Sequence, residues 1–142
     1  MAGKRILVVE DNADHRRILV LWLQKFGEFE ISEARTSQEA VDCIQHNPPD
    51  LLVLDLKLLG GNGRELARQV RALPVPLNRL PILAVTACAM AGDREKALAA
   101  GCDEYITKPI VNPGEIREKV ERLLGRDGLT GPAGVAPSRT QN

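Results

Sequence analysis

The sequence has no excess of either charge: 19 lysines and arginines stand against 19 aspartates and glutamates. A neutral chain has no bulk electrostatic reason to gather polyanions, which argues against nucleic acid as a partner. It also lacks the basic amphipathic stretch that would hold it on a membrane surface. No segment approaches the roughly 18 consecutive apolar residues of a membrane-spanning helix. The apolar run after Met1-Ala2-Gly3-Lys4-Arg5 is too short for a secretory signal, so the cytoplasm is the expected location. Cysteine is scarce. Cys43, Cys88 and Cys102 form an odd set without the paired spacing of a zinc site, and each falls in an apolar or helical setting. They are expected to be reduced, packed and unreactive.

What is present is an alternation of two segment types in a chain of 142 residues, long enough for one domain with its own core. Ile6-Leu7-Val8-Val9, Leu51-Leu52-Val53-Leu54 and Ile82-Leu83-Ala84-Val85 are short, continuous apolar runs. Such runs suit strands buried on both faces, as in a parallel sheet. Residues 29–34 and 104–107 are weaker strand candidates. Between them lie helical patterns. The first, 14–26, opens with Asp14 as a capping acid, points Ile18, Leu19, Trp22 and Leu23 inward, and stops at Gly27. The second opens on Thr36-Ser37-Gln38-Glu39, with capping-box spacing, and must end before Pro48-Pro49. The third, 64–73, carries Leu66, Val70 and Leu73 on one face. The fourth, 92–100, ends at Gly101, a suitable cap. The fifth opens on Asn112-Pro113-Gly114-Glu115 and turns Ile116, Val120, Leu123 and Leu124 inward.

Strand followed by helix, five times, implies an α/β domain. It should have right-handed crossovers, a parallel sheet and helices on both faces. After Gly125 the composition shifts to Gly128, Gly131, Pro132, Gly134 and Pro137 without periodicity. The expected organisation is a domain over 1–125 and a flexible tail over 126–142.

In a doubly wound sheet, ligands bind beyond the carboxyl ends of the strands. The first strand runs into Glu10-Asp11, the third into Asp55, the fourth into Thr86-Ala87 and the fifth into Thr107-Lys108-Pro109. Three acids, a hydroxyl and a lysine thus converge from separate parts of the chain. Three carboxylates at close range repel and call for a cation. Oxygen donors with a partial water shell suit Mg²⁺ or Mn²⁺. With Lys108 included, the group has a formal charge of minus two, and a divalent ion brings it to zero. A phosphate dianion would be repelled by the group alone and accepted by the group with its metal. Any single acid at a strand end is ordinarily structural, because helix starts favour acids; the five together are what point to a site. A cis Lys108-Pro109 bond would turn the lysine into the cleft.

At these positions the sequence resembles the receiver domains of two-component signalling, the chemotaxis response regulator among them. The matching motifs are Val9-Glu10-Asp11-Asn12, Leu54-Asp55, Gly63, Val85-Thr86-Ala87, Ala99-Ala100-Gly101-Cys102-Asp103-Glu104-Tyr105 and Lys108-Pro109. The likeness runs from Lys4 to Leu124. It implies a flavodoxin-like fold with strand order 2-1-3-4-5. It implies that Asp55 is the nucleophile that becomes phosphorylated, that Asp11 ligates the metal directly and Glu10 through water, and that the Lys57 carbonyl completes the protein ligands. Lys108 would pair with the phosphoryl group, Thr86 and the Ala87 amide would bind its oxygens, and Tyr105 would be the aromatic switch. The donor would be a histidine kinase or a histidine phosphotransfer protein. The output would be a protein partner, or a second copy of the chain, bound through the face made by the fourth helix, fifth strand and fifth helix. Such a chain is not an enzyme in the usual sense, since it catalyses only its own phosphorylation and dephosphorylation.

The sequence departs from the family in places. Leu58-Leu59 stands where many members have Met-Pro, which changes the loop Gly60-Gly61-Asn62 without removing a chemical group. The resemblance implies that Lys57 and Cys88 would flank the approach of a hydrolytic water. Three other readings compete. A receiver-like scaffold that is never phosphorylated would have lost an acid or the lysine, and none is lost. An aspartyl-phosphate phosphatase of the haloacid dehalogenase type needs a second acid two residues after the nucleophile, where Lys57 stands, and a cap domain for which the chain has no room. A DNA-binding regulator needs a helix-turn-helix, for which 126–142 is too short.

Overall fold

In a computed structural model the described residues are 4–25, 29–57, 63–86, 92–107 and 113–127. The strands are β1 (Arg5–Val9), β2 (Glu30–Ala34), β3 (Leu51–Asp55), β4 (Ile82–Thr86) and β5 (Glu104–Thr107). The helices are α1 (Ala13–Gln24), α2 (Ser37–His46), α3 (Gly63–Arg71), α4 (Asp93–Ala100) and α5 (Pro113–Asp127), with a short 3₁₀ turn at Leu77–Arg79. All strand pairs are parallel and the sheet order is β2-β1-β3-β4-β5. The doubly wound, flavodoxin-like fold is therefore the one the sequence implies.

Alternation along each strand divides the core in two. Ile6, Val8, Leu51, Val53, Leu83, Val85 and Ile106 face α1 and α5, where they meet Leu19, Leu23, Ile116, Val120 and Leu123. Leu7, Val9, Leu52, Leu54, Ile82 and Ala84 face the other side, against Ile44 of α2, Leu66 and Val70 of α3 and Ala97 of α4. Residues 6–9, 51–54 and 82–85 have no exposed surface at all. Truncating one such leucine to alanine costs about 2–5 kcal/mol in a packed core.

The helix starts follow local chemistry. In α2, the Thr36 hydroxyl accepts from the Glu39 amide at 3.1 Å, and the Glu39 carboxylate accepts from the Arg35 amide at 2.8 Å. That reciprocal arrangement is the expected capping box with its return bond displaced by one residue. The bond from the Arg35 amide is the main reason the Glu39 carboxyl lies below its ordinary range. α4 ends at Gly101, whose φ of +116° only glycine adopts readily.

The first helix differs from expectation at two points. Its cap is Asn12, whose side chain accepts from the His15 amide at 2.9 Å, and not Asp14, which lies inside the first turn. Ile18 faces solvent and Trp22 is half-buried. Leu19 and Leu23 define the buried stripe. At about 100° per residue, Ile18 falls well outside it. Phe26 and Gly27 lie outside the described residues. Cys102 is buried and Cys43 half-buried, both as free thiols. Burial pushes the Cys102 thiol up to about 12, which suppresses the reactive thiolate. Cys88 lies outside the described residues.

Candidate metal and phosphoryl site

The site grows from the carboxyl ends of β1 and β3, which are neighbours in the sheet. Beyond β1, the Glu10 amide still donates to Ala34 of β2, at 3.1 Å, so the ladder runs one residue past the strand. This pins Glu10 against the sheet with only 1% of its surface exposed. Its Oε2 accepts from the Asn12 amide at 3.1 Å. Asp11 follows, half-exposed, just before the cap of α1.

Asp55 is the last residue of β3 and is 4% exposed. Its Oδ1 accepts from the Lys57 amide at 3.0 Å, which sets the carboxylate's orientation, while the Lys57 side chain points to solvent. Behind Asp55, α3 begins at Gly63, and a β-carbon there would lie 2.5 Å from Leu56 Cα and 2.6 Å from the Asp55 carbonyl oxygen. Only glycine allows the helix to start so close to the backbone that carries the acid.

One carboxylate oxygen each from Glu10, Asp11 and Asp55 lies within 4.8 Å of the others. Octahedral Mg²⁺ bonds oxygen at about 2.1 Å, so its ligands sit about 3–4 Å apart, or farther where water intervenes. The three acids fit that requirement, with an all-oxygen donor set and no nitrogen or sulfur. Two of the three are buried, where like charges are least screened and a cation is most needed.

Thr86 ends β4 and is 2% exposed. It is one step beyond Val85, the register partner of Asp55. Tyr105 pairs with Ala84, and Thr107 with Thr86. Tyr105 and Thr86 therefore share one face of the sheet, diagonally across adjacent strands. Tyr105 is half-buried against the core on the α2–α3–α4 side. Ala87, Lys108 with its peptide bond to Pro109, and the loop 58–62 lie outside the described residues.

Sequence reading did not find Arg16 and Glu33, which pair at 2.8 Å beside Glu10. Arg16 lies one turn after Asn12, so helical spacing could have placed it near the acids. Nothing marks Glu33 until the register of β2 is known. No helix among the described residues is long and apolar enough to cross a membrane.

Residues 6–121 match the response regulator receiver domain, and the chain belongs to that family. The acid cluster fits that family's phosphorylation site. The chain is similar to the polar-differentiation response regulator DivK of Brucella ovis, 34% identical over 122 residues that make up 86% of this chain and 97% of DivK. It is also similar to the phosphate regulon transcriptional regulatory protein PhoB of Pseudomonas aeruginosa, 36% identical over 128 residues, 90% of this chain. There it spans about half of the relative, 55% of PhoB. Among solved structures, the receiver domain of a sensor histidine kinase of Pseudomonas aeruginosa superimposes with a TM-score of 0.77 at 31% identity, covering 87% of this chain and 99% of the other. That domain was solved with a magnesium ion coordinated in its active-site cleft.

Proposed function

We propose that this chain is a phosphoacceptor switch in which Asp55 takes a phosphoryl group from a histidine kinase or a histidine phosphotransfer protein. The observation that carries the reading is the meeting of Glu10, Asp11 and Asp55 within 4.8 Å at the carboxyl end of the sheet. In the transfer step a carboxylate oxygen of Asp55 attacks phosphorus in line. The bond from phosphorus to the donor's imidazole nitrogen breaks, and its electron pair leaves with the imidazole. A bound Mg²⁺ or Mn²⁺ supplies neutralising charge to the acids and to the phosphoryl oxygens. Asp11 would hold it directly, Glu10 through water and Lys57 through its carbonyl. The Thr86 hydroxyl and the Ala87 amide donate to phosphoryl oxygens, and the Lys108 ammonium pairs with one.

The readout follows from the shared face of Thr86 and Tyr105. Thr86 turns toward the phosphoryl group and vacates space, which favours an inward rotamer of Tyr105. The population of the α4–β5–α5 surface shifts accordingly. A downstream protein, or a second copy of the chain, binds that surface. The chain acts in the cytoplasm as a phosphoacceptor and not as an enzyme on other molecules.

The test is incubation with a small acyl phosphate, with and without Mg²⁺, followed by intact mass. The mass should rise by one phosphoryl group only with Mg²⁺, and Asp55→Asn should prevent the rise. Phosphoryl transfer to another residue of the unmutated chain would sink the assignment.

A further inference from the structure

Three hydrogen bonds to described residues hold Glu10. Its amide donates to Ala34 and its carboxylate accepts from Asn12, both at 3.1 Å. Its carbonyl accepts from Arg16 Nη1 at 3.0 Å. The first two bonds are made by backbone close at hand. The third comes from a side chain one turn into α1. The same guanidinium donates through Nε to Glu33 Oε1, on β2, at 2.8 Å. The Arg16 side chain is 15% exposed and that of Glu33 50%. Arg16 thus ties the end of β1 to the edge strand beside it, at the residue pair that supplies two of the three acids.

We propose that Arg16 is a positioning residue for the metal-binding acids: it fixes the peptide between Glu10 and Asp11, and Glu33 fixes Arg16. This rests on the reading of Glu10, Asp11 and Asp55 as a divalent-metal site. The Glu10–Asp11 peptide is planar, so holding its carbonyl oxygen sets the torsions on either side of it. One of those torsions directs the Asp11 side chain. A charge-assisted bond from guanidinium is stronger than the bond to water it replaces. Without it the plane can rock, and the Asp11 carboxylate spends less time where a metal needs it. Groups that orient metal ligands in this way commonly change affinity by about tenfold or more when removed.

Arg16 could also act simply as a cation near three acids, and the two roles have opposite signs. Through-space repulsion predicts that losing Arg16 tightens Mg²⁺ binding. Positioning predicts that losing it weakens binding. Glu33, paired with Arg16 at 2.8 Å, offsets its charge, so positioning should dominate.

The experiment is a Mg²⁺ titration of the full chain followed by backbone amide NMR shifts. It compares wild type with Arg16→Met, Arg16→Lys, Glu33→Gln and Arg17→Met. Arg17 is the exposed neighbour, and its substitution makes the same charge change away from the Glu10 carbonyl. Arg16→Met should raise the Mg²⁺ dissociation constant about tenfold. Arg17→Met should leave it unchanged or slightly lower. Arg16→Lys keeps the charge but loses the two-directional guanidinium, and should recover only part of the affinity. Glu33→Gln keeps an acceptor and should fall between wild type and Arg16→Met. An Arg16→Met constant equal to or below that of Arg17→Met overturns the proposal. Should Arg16→Met fail to fold, wild-type affinity in both Arg16→Lys and Glu33→Gln overturns it equally. Metal-free thermal unfolding runs alongside, because a residue serving the fold alone would lower Tm and leave the Mg²⁺ constant where it was. A wild-type chain that binds no Mg²⁺ overturns the reading of the site and this inference with it. A wild-type response with unaffected variants overturns only the inference.

Discussion

The two ends of the sheet treat charge in opposite ways. At the amino-terminal end of β4 and β5, Arg71 of α3 donates to the carbonyls of Asn78, Leu80 and Gly101 and to the Asp103 carboxylate, at 2.6–3.1 Å. Asp103 in turn accepts from the Ile82 amide at 2.8 Å, and its own amide donates back to Ile82. One cation is surrounded by acceptors from four residues in two segments, so charge and hydrogen-bonding capacity are matched within the fold. At the carboxyl-terminal end, Glu10, Asp11 and Asp55 bring three charges of one sign together. An assembly of the first kind stabilises the protein as it stands. An assembly of the second kind brings like charges together, and such groupings recur where a protein binds a cation or carries out chemistry.

The largest expected effect separates the two ends completely. Asp55→Asn should abolish phosphoryl uptake while leaving metal-free stability equal to or above wild type, because one of three repelling charges is gone. Chemical denaturation without Mg²⁺ checks the second half. A clear loss of stability would mean that the acids are structural and that the contrast between the ends is false.

Gly63 is where the contrast should break, because a residue of the fold lies directly behind the site. Gly63→Ala would press a methyl group onto the Leu56 and Asp55 backbone. It should destabilise by about 1–3 kcal/mol, the usual range for overpacking against well-packed neighbours. It should also weaken Mg²⁺ binding, since the strand end carrying Asp55 must shift. Both readouts moving together is the expected result. Stability moving alone would show that Asp55 is held by other means.

Arg71→Ala probes the opposite end. Removing one partner of a buried ion pair costs about 3–5 kcal/mol. Here the side chains of Arg71 and Asp103 are 26% and 22% exposed, and solvent screening reduces the loss to about 1–3 kcal/mol. Mg²⁺ affinity should not change. Urea unfolding paired with the same NMR titration tests this. A drop in metal affinity would mean that the two ends communicate through β4.

What could be read from the sequence follows the same division between local and assembled features. The three central strands were legible because burial on both faces makes their sequences continuously apolar. β2 and β5 were weaker signals because Glu30, Glu33 and Thr107 are exposed at the sheet edges. The acids were legible because each stands at a strand end, where the fold type alone places ligands. Ile18 was misread because an apolar residue one step off a helical stripe looks like a member of it. The Arg16–Glu33 and Arg71–Asp103 pairs, 17 and 32 residues apart, have no periodic signature. They exist only once strands are in register, so no local pattern could announce them. Asn12 displaced Asp14 as the cap because both are good cap residues and only the path of the chain out of β1 decides between them.

The smallest expected effect concerns a second cluster at the start of β5, on the opposite face of the sheet from Arg71, between β5 and α5. Glu104 accepts from Lys119 at 3.2 Å and from Arg122 at 2.8 Å. Burial by itself would raise the Glu104 carboxyl, but the hydrogen bonds and charges of Lys119 and Arg122 together outweigh it and hold the carboxyl below its ordinary value of 4.5. A carboxyl depressed in the folded state contributes stability that is fully present above its unfolded value. That contribution fades as pH falls through the depressed folded value. Glu104→Gln removes the charge at every pH, so it should be less stable than wild type at pH 7 by about 1 kcal/mol, typical of a partly exposed ion-pair cluster. The gap should close as the pH is lowered beneath 4.5, because wild-type Glu104 becomes neutral as well. Urea unfolding of both proteins from pH 7 downward measures the gap directly. A gap that persists unchanged into acid would show that Glu104 acts through packing and not through its charge, which would place this cluster with the shape of the core and outside the electrostatic contrast between the ends.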